Sequence, residues 1–101
     1  MTTYAETLDA ERRRNILALL VENNGQGNER VLFQALRALG LGTALEQAGV
    51  RALLRWLEAR DCLVVQMINE TMMVAQISDR GRLVVAGSVS VDGIAPPSAV
   101  A

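Results

Sequence analysis

The sequence predicts a single, mainly helical α+β domain, with a three-helix core followed by a β-hairpin and a fourth helix. Three observations lead to this fold class. Apolar residues recur at helical spacing through the first 60 residues. The period then changes, and two short β-branched runs flank a turn. No internal repeat or linker interrupts the 101 residues, a length that fits one domain.

Local capping signals set the limits of the first two helices. Thr3 and Glu6 form the capping-box pattern that opens a helix, and an Asn-Asn-Gly sequence predicts its end near Asn23. Asn28 is a favourable N-cap for a second helix, which we expect to reach Leu39. The apolar stripe of this second helix consists of Val31, Leu32, Ala35, Leu36 and Leu39.

A third helix is predicted from Thr43 to about Arg60. Two glycines end the second helix, and Thr43 with Glu46 repeats the capping-box pattern. One face of the third helix is then largely apolar, with Ala48, Ala52, Leu53, Trp56 and Leu57. Another face is polar, with Gln47, Arg51, Arg55 and Glu58.

The hairpin and the last helix follow from the second half of the chain. Residues 62–68 and 72–77 have the composition of strands, and residues 69–71 form the predicted turn. Ser78 is the N-cap expected for a short helix that runs to about Ala86. We therefore expect a folded domain over residues 1–86 and a mobile C-terminal tail over residues 87–101, which is rich in small residues and contains both prolines.

The charge balance does not by itself predict a nucleic-acid partner. Ten arginines face eleven acids, which gives a net charge of −1, and the chain has no lysine. A phosphate-binding surface would therefore have to come from local clustering of arginines. An all-arginine set suits bidentate contacts to phosphate or carboxylate, but a GC-rich coding bias is the simpler explanation.

The composition argues against catalysis. The chain contains no histidine, which is the commonest general base and metal ligand, and it has one cysteine, Cys62. We therefore expect no enzyme activity, no metal and no cofactor. A single cysteine and the lack of a secretory or membrane-spanning pattern predict a cytoplasmic protein without membrane contact.

The order of elements resembles the winged helix-turn-helix family, and two segments carry the resemblance. Residues 53–64 look like the end of a recognition helix that leads into a wing, and residues 77–82 are similar to the step after the wing in MarR-like and ArsR-like bacterial regulators. A closer resemblance is to small winged-helix proteins of Mu-like prophages, and it is carried by residues 12–14, 56–58 and 91–94. Where those proteins often have basic residues after the tail glycine, this chain has Ala95, Pro96 and Pro97.

The resemblance implies a DNA-binding transcriptional regulator of the phage or prophage type. In that family the third helix enters the major groove, so Gln47, Arg51 and Arg55 would read bases. Arg37 and Arg30 on the second helix would hold phosphates. The partner would then be double-stranded DNA, bound by a homodimer that forms through the terminal helices.

Two features of the sequence favour an alternative without DNA. The wing over residues 66–72 contains Glu70 and no cation, and Glu46 would repel phosphate at the start of the third helix. Arg51 and Arg55 are also explained as surface ion pairs with neighbouring acids. The hairpin is unusually apolar, but alternation lets it bury only one side. Val64 and Ile68 would therefore face away from the core. The alternative is therefore a winged-helix module that binds a protein partner through its hairpin.

Overall fold

Four helices and three strands form an α+β arrangement in the computed structural model, which describes residues 2–97. The elements are α1 (Tyr4–Glu22), β1 (Gln26–Asn28), α2 (Glu29–Ala38), α3 (Gln47–Ala59), β2 (Leu63–Ile68), β3 (Met72–Ile77) and α4 (Asp79–Ala86). The predicted α+β class is confirmed. Within the described residues, every helix is too short or too polar to cross a membrane.

Three of the predicted helix starts are confirmed together with their capping side chains. The Thr3 hydroxyl accepts a hydrogen bond from the Glu6 N–H at 3.1 Å, and the Asn28 side chain accepts one from α2 at 2.9 Å. The Ser78 hydroxyl accepts one from the Gly81 N–H at 3.0 Å. Each of these bonds satisfies a backbone donor that has no partner inside its own helix.

The sheet contains one strand that the sequence did not predict. β2 and β3 form the expected antiparallel hairpin, but β1 pairs with the other side of β3, which gives the strand order β1-β3-β2. β1 has three residues, including Gly27, so it carries neither the length nor the alternation by which strands are identified. Its pairing with β3 fixes the start of α2 against the sheet.

The predicted start of α3 is wrong by four residues. Thr43 and Ala44 form a turn in which Ala44 has a φ of 56°, and α3 begins only at Gln47. The reason is a distant contact, because the buried Arg12 side chain donates to the Leu41 and Thr43 carbonyl oxygens at 2.7 and 2.6 Å. These bonds hold the segment before α3 in an irregular conformation.

The helices bury their apolar stripes against one face of the sheet. The side chains with no exposed surface include Ile16, Leu17, Leu20, Leu36, Val50, Leu54 and Leu57. Two predictions about faces are wrong: Ala48 and Ala52 of α3 are exposed, and so are Val31 and Leu39 of the α2 stripe. Because α3 is rotated relative to the prediction, Val50 and Leu54 lie in the core instead.

Residues 88–97 pack back onto α1. The Ala95 N–H donates to the Ala10 carbonyl oxygen at 3.1 Å, and Arg13 donates to the Gly93 carbonyl oxygen at 3.0 Å. Ile94 is 8% exposed and belongs to the core cluster. The sequence did not predict this packing. The part of the predicted tail over residues 98–101 lies outside the described residues.

Candidate functional site

A buried carboxylate, Glu29, lies where α2, α3 and the sheet meet. Glu29 is the first residue of α2, immediately after β1, and its exposed fraction is 0%. The β1–β3 register would next pair residue 29 with Met73, and one Glu29 carboxylate oxygen accepts the Met73 N–H. The side chain thus takes the position that a backbone carbonyl would have in a longer β1.

Two of the five predicted DNA-binding residues hold this carboxylate. Arg51 donates to Glu29 from Nε at 2.6 Å and from Nη2 at 3.0 Å, and Gln47 donates from Nε2 at 2.9 Å. Arg51 Nη2 also donates to the Thr71 carbonyl oxygen in the hairpin turn at 3.0 Å. The first turns of α3 are therefore tied to α2 and to the hairpin by one charged network.

The network keeps Glu29 ionised. The hydrogen bond from Arg51 is the largest influence and lowers the pKa of Glu29 from 4.5 to about 2. This value already includes the hydrogen bonds from the Met73 N–H and Gln47, which also lower the pKa, and burial, which raises it. Since hydrogen bonds to the charged form outweigh desolvation, Glu29 is a satisfied buried anion at neutral pH.

A second carboxylate uses Arg55, the third predicted base-reading residue, in a similar way. Glu58 accepts from Arg55 Nη1 at 2.9 Å and from the Val65 N–H at 2.9 Å. This N–H points away from β3. Because β2 is an edge strand, no other strand of the described residues lies on that side to accept it. The bond from Val65 is the main reason that the pKa of Glu58 is lowered. Unlike Glu29, this carboxylate is partly exposed, at 32%.

The two predicted phosphate-binding residues differ from the other three. Arg30 and Arg37 are both exposed on α2. Arg37 lies over the Phe33 ring at 5.8 Å, a weak cation–π contact. Neither side chain is part of an ion pair among the described residues. They are therefore available to bind an anionic group.

The contacts of Arg51 within the protein disfavour base reading by α3. Three of the five N–H donors of Arg51 are used within the protein, and the two others share the nitrogen Nη1. A bidentate contact to guanine requires donors on two nitrogens, so Arg51 would have to leave Glu29 buried and unpaired. The role of Gln47, Arg51 and Arg55 in DNA binding stays a prediction that the observed contacts do not favour.

The hairpin and β1 present an uncharged surface on the side of the sheet away from the core. Burial alternates along β2 and β3, so the inner side chains are covered and the others face outward. Cross-strand pairing places the outward residues in three rows. We call this surface the outer sheet face, and it consists of Gln26, Asn28, Val64, Gln66, Ile68, Met72, Val74 and Gln76.

All eight residues of the outer sheet face are uncharged, although a fifth of the chain is charged. Val64 is 61% exposed and Ile68 is 42% exposed. At the β1 side, a shallow groove of about 300 Å³ continues this surface from Val74 to Val31, which is 60% exposed. The sequence predicted that Val64 and Ile68 face away from the core, and the structure confirms this orientation.

A stacked arrangement of arginines surrounds Trp56 at the opposite side of α3. The guanidinium groups of Arg13 and Arg60 lie 3.9 and 3.5 Å from the centre of its ring system. The adjacent groove between α1 and α3, of about 400 Å³, is lined by both acids and arginines, including Asp9 and Glu46. Because these charges are of both signs, the groove does not select an anionic or a cationic ligand.

Comparison with family models, curated proteins and solved structures gave no match for this chain. Within residues 2–97, acidic and cysteine side chains do not cluster in a group of three or more that could hold a metal ion. Two surfaces are therefore the candidates for binding a partner. One carries the arginines of α2 and α3, and the other is the outer sheet face.

Proposed function

We propose that this chain is a winged-helix module that binds a protein partner through its outer sheet face. The observation that carries this proposal is the lack of charge on that face, combined with the exposure of Val64 and Ile68. The solvated face of an antiparallel sheet is usually polar, whereas four of these eight side chains are apolar. An uncharged, partly apolar face is typical of a surface that is covered in the functional state.

The winged-helix part of the proposal is supported by the order of elements. Two helices joined by a short connection, α2 and α3, are followed directly by the β2–β3 hairpin, as in the family that residues 53–64 and 77–82 resemble. In this interpretation the charged networks around Glu29 and Glu58 are positioning contacts. They fix α3 against the hairpin and so keep the outer sheet face in one shape.

Photocrosslinking from the outer sheet face tests the proposed function. A photoreactive amino acid at Val64 is expected to form specific adducts with protein in the cells that naturally produce the chain, because this side chain would lie inside the interface. Placed at Leu39, which is 53% exposed but lies at the C-terminal end of α2, away from the sheet, the same group is the matched control and is expected to form few adducts. Equal adduct formation from the two positions, measured by gel shift and mass spectrometry, would contradict the proposal.

DNA binding is the second candidate, and the exposed arginines of α2 favour it. Arg30 and Arg37 are outside the ion pairs that occupy α3, and phosphate contacts need charge more than exact geometry. In the family that the chain resembles, a DNA-binding member of this kind would act as a transcriptional regulator of the phage or prophage type.

A salt titration with mixed-sequence duplex DNA decides this second candidate. The affinity for DNA falls as salt rises, and a plot of log affinity against log salt has a negative slope. If α2 holds phosphates, replacing both Arg30 and Arg37 by alanine should make this slope shallower by about 2, or about 1 per contact. The double replacement of Arg80 and Arg82 by alanine, which removes the same two charges from exposed positions of α4, is the control. Fluorescence anisotropy that shows no salt-dependent binding by the unaltered chain would rule the candidate out.

A further inference from the structure

We propose that the partner of the outer sheet face is the same face of a second copy of this chain, related by a two-fold axis. This inference rests on the proposed function and names its partner. A two-fold interface must be self-complementary, since each residue near the axis meets its own copy. A charged side chain in such a position would be repelled by its copy, and the eight residues of the outer sheet face include no charged one.

The polar residues of the outer sheet face also fit a copy of themselves. Gln26, Gln66 and Gln76 end in amides, and so does Asn28, whose oxygen already caps α2 but whose N–H groups can still donate. A side-chain amide has both donors and acceptors, so it can pair with another amide without leaving a buried polar group unsatisfied. The other four residues are Val64, Ile68, Met72 and Val74, which can pack against each other as two sheets do in a sandwich.

The dimensions of the face indicate how strong the association should be. Two six-residue strands and the shorter β1 cover about 20 by 14 Å, from the usual rise per residue and strand spacing. This footprint is smaller than the surface of about 800 Å² per partner that stable complexes bury. We therefore expect a weak dimer, which forms at high protein concentration and separates on dilution.

Sedimentation velocity over a range of concentrations tests this dimer. The unaltered chain is expected to pass from monomer to dimer as its concentration rises. Val64→Glu should weaken the dimer by at least about tenfold, because it places an unpaired carboxylate in an interface that otherwise has no charge. Since Val64 is 61% exposed, the variant should keep its fold, and circular dichroism checks this.

Leu83→Glu is the matched variant, since it makes the same charge change at a residue that is 46% exposed on α4. It tests the dimer through the terminal helices that the sequence analysis predicted. Dimers that survive Leu83→Glu but not Val64→Glu support the proposal. A chain that stays monomeric, or a dimer sensitive only to Leu83→Glu, overturns it. If a monomeric chain still forms adducts from position 64 with another protein, partner binding stands and self-association fails.

Discussion

Replacing Glu29 by glutamine is expected to lower the free energy of unfolding by about 3 kcal/mol, a large part of the stability of a domain of this size. The glutamine side chain has nearly the same shape but no charge, and its amide nitrogen would face the donors of Arg51. Arg51 Nε and Gln47 Nε2, which share one carboxylate oxygen of Glu29, would then lose their acceptor and meet an amide that only donates. Since Arg51 is 37% exposed, water relieves part of the penalty, which places the cost at the low end for a broken buried pair.

Glu58→Gln is the matched control for this prediction. Glu58 also pairs with an arginine of α3 and accepts a backbone N–H, but it is partly exposed, and its partner Arg55 is 56% exposed. An exposed pair of this kind contributes less than about 1 kcal/mol. The free energies of unfolding of the two variants, measured by urea denaturation, should therefore differ clearly. Equal losses would show that burial of Glu29 does not control its contribution.

The pH dependence of stability gives an independent readout of Glu29. Its pKa is lowered on folding, so its stabilising contribution is present above the ordinary pKa of 4.5 and is lost as pH falls towards about 2. The stability difference between the unaltered chain and Glu29→Gln should therefore shrink between pH 4.5 and pH 2. A difference that stays constant across this window would contradict the assigned network.

The sequence predicts those parts of the fold that depend on neighbouring residues. Thr3, Asn28 and Ser78 cap their helices through hydrogen bonds to residues three positions away, so the pattern that predicts the cap also contains its partner. The hairpin is equally local, since its strands are joined by three residues. These elements follow from short-range geometry and were identified correctly.

The parts that the sequence did not predict depend on contacts between distant segments. Arg12 overrides the Thr43 capping signal from 31 residues away, and β1 becomes a strand only because β3 lies beside it. The same reason explains the candidate site. Arg51 was predicted on an outward polar face of α3, but its partner Glu29 lies 22 positions earlier, at the first residue of α2.

A weak signal for the Glu29 network is nevertheless present in the sequence. An acid immediately after the N-cap Asn28 is normally explained by the helix dipole, and such an acid is usually exposed. The surrounding polar residues give no indication that this one is buried. Only the position of β3 decides that its carboxylate completes the sheet, which is why the arginines of α3 were interpreted as ligand-binding residues.

Replacing Gly81 by alanine is the second change with a large expected effect. Gly81 lies in the first turn of α4, where a Cβ atom would overlap the Cys62 carbonyl oxygen and come within 2.7 Å of Ile77 Cγ1. The first of these neighbours is backbone, which cannot move aside as a flexible side chain can. The glycine in the segment over residues 77–82, which carries the family resemblance, thus has a packing reason: it lets α4 approach the residue before β2.

We expect Gly81→Ala to lower the free energy of unfolding by about 3 kcal/mol, because α4 must move off the backbone that it packs against. For a chain of this length that corresponds to a fall in Tm of about 15 °C, measured by differential scanning calorimetry. Gly49→Ala in α3 is the control, since its Cβ would meet only the flexible end of Leu45. That change should leave stability unchanged or raise it by up to about 1 kcal/mol through helix propensity. Similar losses at both glycines would mean that alanine is poorly tolerated in these helices in general and that the close approach at Cys62 is not the cause.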